Sequence, residues 1–375
     1  MKPLFLVTVM TVLPLACAHA APEIYGKAFV TTDYIDTHVD NDDSKNRFKH
    51  TDSDTVQVNS NFSRLGFRGS EALTAKTELI YRLEYGIQID GSNEAAFNSR
   101  DTYLGIKNKS FGELRVGRNT SVLGYAYGPM VARAYWDNLG KTKLNSDGDV
   151  SALNMLDYTR KDKSIVWIAP QLHSVPLDIV MQYATNQDNE DQDAGIGARV
   201  RYTSDKGFTT GVAFSRDIEA NGSISAKDFA TDKDFDGQVN YGGDVVRGTM
   251  TLDVDHYLDI RAPITLGVAY QQADYDFDDA IVEKGVIVSA NMTLNQFAKP
   301  ASFYIQYNQT DNLNGIHNNE SEQLVLGGEY ELKDNIIAHA YIGQNSTNYT
   351  NSISDARSVT DIKVVAAGGG LEYLF

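Results

Sequence analysis

The sequence predicts an all-β fold: about sixteen antiparallel strands closed into a transmembrane barrel. Three observations predict it. Apolar and polar residues alternate with period two in segment after segment. The connections between these segments sort by length, short and long in strict turn. The chain also opens with a leader for export.

Composition removes the main alternatives. The 375 residues carry a net charge of −17, with 22% charged and 42% hydrophobic residues. An acidic balance argues against a nucleic-acid partner, which needs a basic face. Past the N-terminus no run of about 18 apolar residues exists to make a spanning helix. The apolar share is too high for a disordered chain.

Residues 1–20 read as a signal peptide and 21–375 as the barrel. Lys2 precedes an apolar stretch from Leu4 to Leu15, followed by the A-x-A signal Ala18-His19-Ala20. A lipoprotein with acylated Cys17 is the rival, but Pro14 stands where its lipobox needs Leu, which favours simple cleavage. The single cysteine leaves with the leader, as suits a chain crossing an oxidising periplasm.

From Thr77 to Ile89 the odd positions read Thr, Leu, Tyr, Leu, Tyr, Ile, Ile, and the even ones Glu, Ile, Arg, Glu, Gly, Gln. Similar alternation recurs at Leu177/Ile179/Met181/Tyr183, Ile264/Leu266/Val268/Tyr270 and Leu324/Leu326/Gly328/Tyr330. Short connections fall at 70–75, 108–111, 173–176, 204–207, 259–263, 295–300 and 333–335. Long ones fall at 37–54, 90–99, 120–160, 185–193, 217–244, 276–283, 311–320 and 346–360. Seven short and eight long connections imply sixteen strands. A soluble sandwich has no reason to sort its loops by end; an outer-membrane barrel does. The chain ends Leu371-Glu372-Tyr373-Leu374-Phe375. Tyr373 and Phe375 there resemble the signal read by the barrel-assembly machinery.

Several motifs carry a closer resemblance. These are Tyr25-Gly26-Lys27, Arg64-Leu65-Gly66-Phe67-Arg68-Gly69, Arg100-Asp101-Thr102-Tyr103-Leu104-Gly105 and Phe111-Gly112-Glu113-Leu114-Arg115-Val116-Gly117-Arg118. With the terminal Phe375, the chain resembles the trimeric general-diffusion porins of the Gram-negative outer membrane. The resemblance implies a homotrimer, contact with lipopolysaccharide and outer-membrane lipid, and a third external loop, here 120–158, folded into the barrel as a constriction.

By the same resemblance Lys27, Arg64, Arg100 and Arg160 form a basic ladder on the pore wall, Arg160 standing seven residues before Trp167. Opposed charges across a narrow wet passage set a transverse field that sorts solutes. The plainer reading is that these side chains merely pair with carboxylates on a polar wall. The acidic arm departs from the family string; Asp137, Asp147 and Asp149 are the nearest candidates, with Lys141 and Lys143 in the same loop. Tyr135 and Trp136 read as packing anchors.

Carboxylates cluster in the other long connections, as at Asp274/Asp276/Asp278/Asp279. A solvated loop is the bland reading, and Ca²⁺ or Mg²⁺ bridging to lipopolysaccharide phosphates the sharper one. Asp232, Asp234 and Asp236 fit the first half of a Ca²⁺ loop, but position twelve is Gly243, not Glu. No cofactor is implied. The seven histidines are scattered, and neither a zinc ligand set nor a G-x-S-x-G elbow occurs. The expectation is a passive channel for small hydrophilic solutes and ions in the outer membrane, not an enzyme. The alternatives are a sugar- or phosphate-specific channel, or a barrel enzyme or adhesin.

Overall fold

The computed structural model describes residues 22–43, 47–92, 97–142, 150–171, 175–185, 194–220, 222–225, 238–260, 263–353 and 356–375. The leader read in 1–20 lies outside them. The first strands are β1 (Glu23–Asp43), β2 (Arg47–Ser60), β3 (Arg64–Thr74), β4 (Thr77–Gly86), β5 (Asn98–Asn108) and β6 (Gly112–Thr120). After the longest connection come β7 (Arg160–Ile168), β8 (Leu177–Ala184), β9 (Gly195–Thr203) and β10 (Phe208–Arg216). A small hairpin, β11 (Gly222–Ser225) and β12 (Gln238–Tyr241), precedes β13 (Gly243–Asp253) and β14 (Ile264–Tyr275). The rest are β15 (Glu283–Thr293), β16 (Ala301–Asp311), β17 (Glu320–Lys333), β18 (Ile336–Ile353) and β19 (Ala356–Leu374).

All but β11 and β12 form one antiparallel sheet, which pairing of β1 with β19 closes on itself. Closure leaves no edge strand to aggregate. β2 and β3 both pair with β1, against Val30–Asp43 and Glu23–Lys27 respectively. They are one barrel strand broken at Phe62, whose φ of 51° is left-handed backbone. Ser63 repairs the gap: its hydroxyl accepts from the Phe29 amide at 3.0 Å, while the Asn61 amide donates to the Phe29 carbonyl at 2.8 Å. Counted so, the barrel has sixteen strands, as the connection pattern predicts.

The two faces are inverted relative to a water-soluble protein. Val212, Leu266, Val288, Leu324 and Ile342 are exposed, while Arg247, Gln271, Glu283, Gln306 and Gln323 are buried. In β17, exposed Leu324 alternates with buried Gln323 and Val325. An apolar outer band around a polar interior is the arrangement of a barrel in lipid. At the short-turn end aromatic side chains gather, with Tyr202 and Phe208 at 5.8 Å, Phe297 and Tyr330 at 6.1 Å, and Tyr373 and Phe375 at 5.7 Å. That matches the girdle where lipid meets water. Gly112, at φ 88°, makes one of the tight turns there.

Two expected loops are instead strand. Residues 37–43 and 47–54, and residues 346–353 and 356–360, continue the ladders, with register unbroken from Thr37↔Ser53 to Asp43↔Arg47 and from Thr347↔Ile362 to Ile353↔Ala356. Their polar composition hid them. Backbone pairing needs no apolar outer face beyond the lipid, so the period-two signal fades while the ladder goes on.

Candidate functional site: the lumen wall and the loop of residues 121–159

The described parts of the loop between β6 and β7, residues 121–142 and 150–159, lie against inward side chains of the barrel. Val122 N donates to Gln182 on β8 at 3.2 Å, and Leu156 N to Glu283 on β15 at 2.9 Å. The Val131 and Ala132 amides both donate to Gln306 on β16, at 2.6 and 2.9 Å. Asn138 Nδ2 donates to Gln323 on β17 at 2.9 Å, and Asn345 on β18 to the Leu153 carbonyl at 2.7 Å. The Trp136 indole donates to the Ala366 carbonyl on β19 at 3.2 Å. These strands reach round the barrel from β8 to β19. Glutamine and asparagine suit the task because one amide offers both donor and acceptor to an irregular backbone that would otherwise be unsatisfied.

Apolar packing fixes the loop further. Trp136, Ala132, Ala134 and Ala152 share a cluster with Phe29, Tyr341, Val364 and Ala366 from the wall. A Cβ at Gly343 would lie 2.6 Å from the Trp136 ring, so only glycine leaves room for the indole.

The wall from β3 to β7 carries the charges. Arg64 on β3 lies 3.8 Å from Glu84 on β4, and Arg100 on β5 lies 2.6 Å from the same carboxylate. Arg160 on β7 and Arg82 on β4 each lie 3.6 Å from Asp101. Arg115 pairs with Glu113 and donates to the Tyr125 hydroxyl at 3.0 Å. Lys27 on β1 lies 3.5 Å from Glu372. The four expected basic residues therefore share one region: Lys27 is opposite Arg64 in register, and Arg100 feels the charges of Arg64 and Arg160. Each has a carboxylate partner as well.

Arg82, Arg115, Glu84, Asp101 and Glu113 were not singled out from the sequence. The available signal was their place at the polar positions of alternating strands. Of the acidic arm, half-buried Asp137 accepts from the Tyr127 hydroxyl at 2.9 Å and interacts with Lys27 and Arg133. Asp147 and Asp149 lie outside the described residues, as do Asp232, Asp234 and Asp236. Among the described residues no group of three His, Cys, Asp or Glu side chains is placed to hold a metal ion. Phe375 is half exposed; its amide donates to the Gly26 carbonyl and its carbonyl accepts from the Gly26 amide, at 3.2 and 2.7 Å.

A model of Gram-negative porins matches residues 7–350. The chain belongs to the Gram-negative porin family. It is 25% identical over 179 residues to an outer membrane porin protein of Bordetella pertussis, an alignment that spans 46% of this chain and 44% of that protein. It thus covers less than half of that relative's length. Solved structures share the fold. An anion-selective porin from Comamonas acidovorans superposes with a TM-score of 0.64 at 14% identity, covering 95% of this chain and 99% of that one. OmpT of Vibrio cholerae, an outer membrane protein in its trimer form, gives 0.58 at 16% identity, covering 94% and 99%. Family membership and the inverted barrel agree on an outer-membrane porin.

Proposed function

We propose that this porin is a passive, water-filled channel for small hydrophilic solutes, narrowed between the loop of residues 121–159 and the wall of β3 to β7. One observation carries the reading: the loop is hydrogen-bonded mainly against the wall from β8 to β19, and it meets the arginine-bearing side through single tyrosines, Tyr125 at Arg115 and Tyr158 at Arg160. Five guanidinium groups there, Arg64, Arg82, Arg100, Arg115 and Arg160, stand against three carboxylates, Glu84, Asp101 and Glu113. Fixed charge of one sign in a narrow passage raises the concentration of the opposite ion. The narrow zone therefore prefers anions, although the whole chain is acidic. A solved relative of the same fold is itself an anion-selective porin. Tyr25 on β1, Tyr103 on β5 and Tyr125 in the loop are each engaged by an arginine rather than forming a continuous aromatic slide, which disfavours a sugar-specific channel.

Purified protein in planar bilayers tests the reading. Stable conductance steps with a reversal potential on the anion side support it; substrate hydrolysis without conductance would replace the channel by a barrel enzyme. Three further proposals accompany it: cleavage of the leader after Ala20, recognition of Tyr373 and Phe375 during barrel assembly, and a homotrimer whose acidic outer loops bind Ca²⁺ or Mg²⁺ against lipopolysaccharide.

A further inference from the structure

Four charged side chains meet around one imidazole. His339 on β18 is buried, 6% exposed, with the Phe29 ring on β1 at 4.6 Å. Its register partner on β17 is Glu329, whose Oε1 lies 3.7 Å from Nδ1. Glu372 on β19 places Oε2 at 3.4 Å from Nε2. Each carboxylate has its own cation. Arg133, from the inward loop, reaches Glu329 at 3.1 Å, and Lys27 of the basic wall reaches Glu372 at 3.5 Å. Tyr304 on β16 interacts with Arg133 and Glu329, and Lys27 also feels Arg64 and Asp137. Water reaches the group through Arg133, whose side chain is 40% exposed.

Charge balance makes the imidazole decisive. Two cations and two carboxylates cancel, so with neutral His339 the group carries no net charge. Protonation adds one positive charge that nothing cancels, beside the strand that bears Lys27. It also turns two loose imidazole–carboxylate approaches into charge-assisted contacts, which are about twice as strong as neutral ones. Those contacts tie the loop, through Arg133 and Glu329, to β19 and Lys27.

We propose that His339 is a positioning and specificity-determining residue of the pore: its proton links the loop to the wall and sets how strongly the channel prefers anions. The inference rests on the channel reading above and adds its proton dependence.

The test is the reversal potential of single channels in a salt gradient at pH 8 and pH 5.5, for the wild type, His339→Gln and His339→Lys. The wild type should gain anion preference by about twofold on acidification, the scale expected of one charge within a screening length. His339→Gln should lose most of that gain, while His339→Lys, with a fixed charge, should show the acid-form preference at both pH values. If either variant that assembles keeps the full wild-type response, the inference is overturned and the response belongs to other groups. A wild type that forms no channels would overturn the channel reading itself, an outcome distinct from conducting variants with an unchanged pH response.

Discussion

The indole N–H of Trp136 donates to the carbonyl of Ala366, 3.2 Å away and 230 residues on. This bond joins the inward loop to β19, the strand whose pairing with β1 closes the barrel. The ring that makes it is 1% exposed and sits in the space left by Gly343. One side chain, the largest that is fully buried among the described residues, thus combines a polar contact with apolar packing.

Trp136→Ala should therefore free the loop more than it harms the barrel. Truncating a buried tryptophan costs about 3–5 kcal/mol. The sheet ladders are untouched, so the loss should appear as loop motion: noisier and larger conductance steps, with the barrel still folded. Gly343→Val, which pushes a side chain into the indole, should act in the same direction. Quiet, wild-type channels from both variants would show that other contacts suffice to hold the loop.

The extended hairpin of β1 and β2 should respond to pH. On its outer face the Asp52 carboxylate binds the ring nitrogens of both His38 and His50, while Asp40 binds His50 at 2.6 Å and Asp36 approaches His38 at 3.4 Å. The hydrogen bond that His38 donates to Asp52 raises its imidazole and lowers the Asp52 carboxyl, and the one His50 donates to Asp40 raises the His50 imidazole. Raised imidazoles contribute stability that is complete below their unfolded value, about 6.5, and lost as pH rises through the folded value. The lowered carboxyl contributes above about 3.9 and is lost as pH falls through its folded value. The hairpin should be tightest between these limits. Amide exchange over residues 36–54, corrected for intrinsic rate, should show protection falling as pH rises from 6 to 9, with a smaller fall in His50→Gln. Constant protection across that range would exclude the imidazole contribution.

Much of the fold was legible because a barrel in lipid imposes alternation on every spanning strand, as Leu266/Val268/Tyr270 show. Signal failed where that constraint ends. Beyond Tyr34 the outward residues of β1 are Asp36, His38 and Asp40, and nothing in their polarity separates a paired strand from a loop. The basic side of the lumen was read through Lys27, Arg64, Arg100 and Arg160, yet Arg82 and Glu84 stood unnoticed in the best-resolved alternating segment. The group around His339 could not be seen at all. Neighbouring hairpins bring residues 329, 339 and 372 together, but only closure of the barrel adds Lys27 and only the inward loop adds Arg133.

The proposed homotrimer gives a simple mass test. Closed symmetry is the usual outcome for homo-oligomers. Unheated detergent extracts should migrate near three times the mass of the heated chain, and conductance should close in three equal steps. If divalent ions bridge the acidic loops to lipopolysaccharide, adding a chelator should lower the melting temperature of the trimer, by linkage. A monomer in native lipid would remove the trimer proposal; a melting temperature indifferent to chelator would remove the bridging.

The wall charges give the sharpest test of the passage. Arg64 and Arg100 share Glu84, so removing either leaves that carboxylate one cation, and the local net charge falls by one. Ions in a narrow passage stay within the screening length, about 8 Å at physiological salt, so a single fixed charge is felt there. Arg64→Ala or Arg100→Ala should reduce the anion-to-cation permeability ratio by about twofold on this scale. Glu84→Gln should raise it, although the mutated residue lies on the same wall and contacts the same arginines. Lys206, in the exposed turn between β9 and β10, faces bulk electrolyte, and Lys206→Ala should change little. The opposite signs for Arg100→Ala and Glu84→Gln separate an electrostatic effect from mere loosening of the wall, which would shift both variants alike. Equal shifts for the arginine variants and Lys206→Ala would mean that the narrow zone lies elsewhere in the lumen.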